Sequence, residues 1–348
     1  MIREIDFRFV VVRNGADYTV LNKLRTAAPT IRMDDSGEIK TSFSGDFLYP
    51  SKQVNWLTDE IRPELIIDGV RYNLGVFLPA AVREQENETT AYLHLEAYDR
   101  GWRVRDTKTE TRLHFSAGSG YITTVEQLLA ACGIVLISAT PSPATLTEDR
   151  EDWNIGTSYL EIVNQLLGEI NYNPLWFDAT GTAVLEPASI PTAVNIEHTL
   201  DDTQVKSLLL PSISRETDIY SAPNVFICVC SNADKDAPMV AKAENTNPQS
   251  PLSISRRGRR ISTVQTVSNI ASQEELQAYA DRLRNESMMT GETISVSTAL
   301  LPGFGVRDVT AICYGELMAV CLERAWTMSL TTGGKMTHTL ERVVINLG

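Results

Sequence analysis

The clearest pattern of apolar and polar positions runs from Asp152 to Pro187. Ser158 and Glu161 stand three apart, as a capping box requires, so that each side chain meets a backbone donor of the first helical turn. Leu160, Val163, Leu167 and Ile170 then recur at three- and four-residue spacing and form one apolar stripe. Gly168, Asn171 and the Asn173-Pro174 pair end the helix, because proline cannot continue it and asparagine accepts turn conformations. Leu175 to Phe177 and Ala183 to Leu185 flank Asp178-Ala179-Thr180-Gly181, which predicts a tight hairpin. The unit is built for packing and carries no chemistry of its own.

The first hundred residues read as strands. Ile5, Phe7, Phe9 and Val11 alternate with polar residues, and Ile39, Thr41 and Phe43 repeat the pattern after a polar loop expected over Arg32 to Glu38. Two apolar runs meet at Asp68-Gly69, a hairpin signal because glycine accepts positive φ. A strand over 90–98 leads to Asp99-Arg100-Gly101. Five or so strands with short turns predict a small barrel, in which closure removes exposed edges. From Val104 to Leu210 the pattern is mixed. Thr124 and Gln127 predict the start of a short helix closed by Gly133. The run 139–147 is a loop, and 190–210 is extended.

The last third returns to strands. Val225 to Cys230 predicts one, with Met239 to Ala241 beside it. The long polar stretch 245–260 reads as a loop suited to binding. Ser272 and Glu275 open a helix with Leu276, Tyr279, Ala280 and Leu283 on one face. Strands are expected over 293–300, 308–314, 318–330 and 336–346. A faint echo links Ile66-Ile67-Asp68-Gly69 and His94 to Ile312-Cys313-Tyr314-Gly315 and His338, as two related barrels would.

Composition narrows the function. At 348 residues the chain is long enough for two or three cores. Its net charge of −13 repels phosphates and argues against nucleic-acid binding. The one basic cluster, Arg256, Arg257, Arg259 and Arg260, lacks interleaved aromatics for base stacking, so a solvated loop or a contact to an acidic partner subunit is expected. No signal-peptide pattern opens the sequence and no apolar run approaches the ~20 residues of a membrane span, so a soluble, cytoplasmically made protein is expected. The 5 cysteines lie in apolar runs, which reads as buried and reduced. Cys228 and Cys230 share a strand face, but no second ligand pair stands at metal spacing.

Catalytic constellations fare poorly. The histidines His94, His114, His198 and His338 are scattered. His94-Leu95-Glu96 lacks the Pro-Cys-x-x-Cys partner of a zinc deaminase. Thr331 to Lys335 lacks the upstream glycine and the following Ser or Thr of a phosphate loop. Asp34-Asp35 and Asp201-Asp202 read as solvated acids more readily than as a glycosidase pair. No catalytic residue, metal site or cofactor is expected.

The helix followed by the Asp178-to-Gly181 hairpin, between two β-rich halves, resembles the baseplate hub proteins of contractile phage tails, R-type bacteriocins and related contractile injection particles of Gram-positive bacteria. The resemblance implies an α+β, mainly β fold: two small tudor-like β-barrels, over 1–104 and 223–348 (the latter with the loop 245–260), and a mixed middle domain over 105–222, joined by a helix at 271–290. It implies a structural, non-enzymatic homotrimer that adapts a six-fold tail tube, or a tube initiator, to a three-fold central spike. Tape-measure, baseplate-wedge or LysM-type adaptor proteins are further partners it suggests, with no membrane and no specific nucleic acid. The alternatives are a hub or distal tail protein of a non-contractile tail, and a polysaccharide-active enzyme whose acids come from separate loops.

Overall fold

A computed structural model describes all residues except 1–2, 87–90, 189–193, 205–206, 218–221, 231–237, 268–269, 271, 290–291 and 344–348. Parts of the stretch expected over 190–210, the ends of the helix expected over 271–290, and the close of the strand expected over 336–346 lie outside the described residues.

The chain is mainly β with a minority of helix, an α+β fold. Eight strands come first: β1 (Ile5–Arg13), β2 (Ala16–Leu21), β3 (Thr30–Asp34), β4 (Thr41–Leu48), β5 (Glu60–Ile67), β6 (Val70–Asn73), β7 (Phe77–Glu86) and β8 (Ala91–Asp99). Asp68 and Gly69, both at positive φ, make the expected two-residue turn between β5 and β6. A short helix that alternation did not signal, α1 (Gly101–Asp106), follows β8. The middle unit holds α2 (Tyr121–Ala131), β9 (Ile137–Ala139), α3 (Tyr159–Glu169), β10 (Trp176–Phe177) and β11 (Ala183–Leu185). Beyond it lie β12 (His198–Asp201), β13 (Leu209–Glu216), β14 (Val225–Cys230), β15 (Met239–Glu244), α4 (Ile254–Arg257), β16 (Ser262–Val267), α5 (Gln273–Met289), β17 (Thr293–Ala299), β18 (Val309–Tyr314), β19 (Leu317–Ser329) and β20 (Lys335–Val343).

The expected barrels are corrected to open sheets. Fourteen strands from both halves form one sheet, because β3 pairs with β19 on the side away from β4. That pairing occupies the edge that would otherwise turn back to close the first half. Toward closure there is, among the described residues, one bridge between Lys23 and Phe47, with Leu24 N donating to Asp46 O at 3.0 Å and Leu48 N to Asn22 O at 2.8 Å. The core accordingly crosses the halves: Phe9, Phe43, Phe47 and Phe77 pack in one cluster with Trp326, Met328 and Met336.

The middle unit has its own core of α2, α3 and the three-stranded sheet, centred on Val125, Leu129, Val163 and Leu167. Ser158 caps α3 by accepting from Leu160 N, and Asn171 at φ 57 follows its end. The start of α2 is corrected: it begins at Tyr121, and Thr124 lies inside it, donating back to Gly120 O at 3.0 Å. β14 to β16 form a second small sheet. The stripe Leu276, Tyr279, Ala280 and Leu283 of α5 packs on it against Phe226, Cys228 and Cys230. Ser272 caps α5 by accepting from Glu275 N at 3.1 Å.

In the echoed turns, Ile67 pairs with Val70 and Tyr314 with Leu317. Gly69 therefore takes the second turn position and Gly315 the first, one residue out of the register the sequence suggests.

Candidate functional site: a three-way junction and its exposed edges

The three parts of the chain meet around Asp35, just past β3. Its backbone N–H donates to Arg324 O at 2.8 Å, continuing the β3–β19 contact. Its carboxylate accepts from Arg307 Nε at 2.9 and 3.0 Å and from Arg324 Nη1 at 2.6 Å. Arg307, held at φ 63, also donates to Asn173 Oδ1 of the middle unit at 2.9 Å, and Arg324 pairs with Glu341. Burial alone would push the Asp35 carboxyl up, but Arg307, Arg324 and Lys40 together hold it below the usual carboxylate range.

The hairpin singled out by sequence completes this junction. Asp178 Oδ1 accepts from Thr180 N and Thr182 N, which fixes the turn. The turn then docks on the first half: Gly75 N donates to Ala179 O at 3.1 Å, and Arg100 Nη1 to Gly181 O at 2.8 Å. Gly181 sits at φ 78, and a Cβ there would lie 2.9 Å from Val76 Cβ, so both conformation and space demand glycine. Arg100 is itself gripped by Glu60 at 2.9 and 2.7 Å. Beneath lies an apolar cavity of about 40 Å³ lined by Met33, Val76, Trp176, Phe304, Trp326 and Met336, where Trp326 Nε1 is buried without a hydrogen-bond partner. That is room for about one or two waters, not for a substrate.

A buried polar row lies alongside. His338, fully buried, meets Glu323 at 2.9 Å through Nδ1 and Thr298 at 3.1 Å through Nε2. Phe304 stacks on His198 at 3.8 Å and tilts against His338 at 4.7 Å, while His198 contacts Asp308 at 2.8 Å. Burial pushes the Glu323 carboxyl up.

The acids considered for chemistry serve turns and ion pairs. Asp34 accepts from Ser36 and Arg32, Asp201 from Thr203, and Asp202 from Gly315 N. One alignment resembles a hydrolase triad: Ser116 Oγ is 3.3 Å from His114 Nε2, and His114 Nδ1 is 2.8 Å from Glu151. It lies on the surface, its His about half exposed, and the next backbone N–H, Ala117, already donates to Asp149. Such a site neither excludes water nor keeps a free oxyanion donor there.

The basic cluster is placed around α4. Arg256 Nε donates to Pro248 O at 2.9 Å, Arg257 bonds Ala222 O, and Arg260 reaches Glu244 at 2.5 Å. Arg256, Arg259 and Arg260 are exposed. The loop itself is ordered by buried amides: Asn245 donates to Ser250 Oγ, and Asn224 to Leu252 O and Arg259 O. Large apolar side chains stand in solvent at scattered loops and edges, with Leu57 92% exposed, Val135 81%, Met318 74% and Val264 61%. Sequence reasoning found the hairpin but read Asp35 as a solvated acid; it is buried and paired with Arg307 and Arg324, because no local pattern links residues so far apart.

No protein-family model and no curated protein matches the sequence. The fold, however, matches solved tail proteins over nearly its full length. A tail protein from Neisseria meningitidis MC58 matches with a TM-score of 0.67 at 14% identity, covering 96% of each chain. The 43 kDa tail protein of prophage MuSo2 from Shewanella oneidensis matches at 0.67 and 11% identity, covering 97% of this chain and 98% of the other. A type VI secretion component from E. coli, described as structurally similar to the T4 bacteriophage tail proteins gp27 and gp5, matches at 0.55 and 9% identity, covering 97% and 77%. This chain has the tail-protein fold.

Proposed function

We propose that this chain is a structural baseplate hub of a contractile tail or tail-like injection particle, working as a homotrimer that adapts a six-fold tube to a three-fold spike. The observation that carries the reading is end-to-end agreement of the fold with a tail protein and a prophage tail protein, over 96–98% of each chain. A type VI secretion component likened to gp27 and gp5 shares it, which favours the hub over other tail parts. In this account the chain divides near 1–104, 105–222 and 223–348, with β12 and β13 of the middle stretch joining the large sheet beside β18 and β17, and the Asp35 junction fixes the angle between the parts. Mechanism is then geometry. Three chains each contributing strands from two β-rich halves present six similar elements in a ring, which answers a six-fold tube from a three-fold base. Assembly in the bacterial cytoplasm, and contact with tape-measure, wedge or adaptor proteins, belong to the same proposal. Affinity for the spike tests it: co-expression with the adjacent spike protein is expected to yield a three-to-three complex by native mass spectrometry. Failure of the two to associate at micromolar concentration would count against the hub assignment.

A further inference from the structure

The small sheet β15–β14–β16 treats its two outer strands differently. On β15, the carbonyls of Val240 and Lys242 accept from Gln273 Nε2 at 3.0 Å and Gln277 Nε2 at 3.1 Å, side chains of α5 that cover this strand. β15 also carries the charges of Lys242 and Glu244. Blocking amides and charges are how sheets prevent further strand pairing.

β16 has neither. Its residues, Ser262 to Val267, include no charge and no proline, and Val264, Gln265 and Thr266 are all exposed. Val264 and Gln265 face opposite sides, so the strand is open on both faces there, while at its far end Thr266 and Val267 line a cavity of about 240 Å³ with Gln165 and Glu169 of α3 and Tyr279 of α5. Among the described residues, no strand pairs its outer edge. The strand enters from Arg259 and Arg260, both exposed.

A matching edge exists elsewhere on the chain. β8 pairs with β7 along its length, whereas on the other side of β7 the pairing among the described residues is one contact, Ile61 with Phe77. The far half of β7, Arg83 to Glu86, is exposed and carries Arg83, Glu84 and Glu86, with Pro79 near the start of the strand. These charges oppose pairing with a like edge and leave β7 to a neutral strand with a basic end.

We infer that the β7 edge of one copy adds to the β16 edge of the next, antiparallel, in a head-to-tail interface. Antiparallel pairing sets the Glu84–Glu86 end of β7 against the Arg259–Arg260 end of β16. Arg260 already holds Glu244, but a guanidinium has five donors and accepts a second carboxylate. Six residues of strand give about 20 Å of shared ladder. Copies of net charge −13 repel one another in general, so a local basic end is what selects this approach. Since β7 meets β16 and never another β7, the contact is heterologous, and such contacts build rings when the rotation closes.

This rests on the proposed self-associating hub, and the test separates the two. Light-scattering mass is measured for the full chain, for Glu84→Lys with Glu86→Lys, for Val264→Lys, and for an equimolar mixture of the two variants. All these positions are exposed, and matching thermal melts confirm folding. The expectation is a three-fold mass for the wild type, a one-fold mass for each variant alone, and a two-fold mass for the mixture, in which one competent interface survives. A three-fold mass in either variant overturns the edge pairing while leaving the trimeric hub standing. A wild type of one-fold mass at every concentration overturns both.

Discussion

Asp35 and Arg307, 272 positions apart, meet through paired contacts at 2.9 and 3.0 Å, and the same arginine reaches Asn173 in the middle unit. One ion pair thus ties together three regions of the chain.

Asp35→Asn should cost about 2–4 kcal/mol in urea unfolding, because it removes the carboxylate shared by two largely buried guanidiniums and leaves Arg324 with Glu341 alone. The deficit should depend on pH. The folded carboxyl is held below its unfolded value, so its contribution is present above the ordinary carboxylate range and is lost as pH falls through the folded pKa. Wild type and variant should therefore converge in strong acid. A constant gap down to about pH 2 would contradict the assignment.

Gly181→Ala should destabilise by about 2 kcal/mol or more, since alanine at φ 78 is strained and its Cβ meets Val76. Chemical denaturation checks this. A loss below about 0.5 kcal/mol would mean the hairpin is not pinned to the first half.

Glu323→Gln should act in the opposite pH sense to Asp35→Asn. Burial raises the folded carboxyl above its unfolded value, so the folded state gains stability as pH falls through the folded pKa and is penalised above it. The amide removes that penalty while keeping a partner for His338. Relative to wild type, the variant should be more favourable at about pH 8 than at about pH 5, as read from paired melting curves.

Trp326→Phe should be mild, about 1 kcal/mol or less, although the residue is buried. The lost ring area is offset by removal of an indole N–H that has no partner. A loss above about 3 kcal/mol would show that the donor is satisfied in solution.

Local elements were legible in the sequence because their signals are local. Ser158 and Ser272 cap helices where the spacing placed them, and Asp68-Gly69 and Asp178 to Gly181 turn as written. The start of α2 was misread because Thr124 and Gln127 imitate a cap one turn inside the helix, where the threonine back-bonds to Gly120. The barrels were misread for a long-range reason. Arg32 and Asp34 interrupt the apolar positions of β3, so part of it reads as a polar loop, and no local signal shows that β19 lies beside it. The junction was invisible on the same ground, whereas the arginines near β16 stood out because clustered charge is a local signal.

Native mass spectrometry of the purified full-length chain across a concentration series tests the central claim most directly. The hub account predicts a three-fold mass that persists on dilution to about micromolar, as an obligate interface should. A mass of one chain throughout, with no change when the spike protein is added, would contradict it.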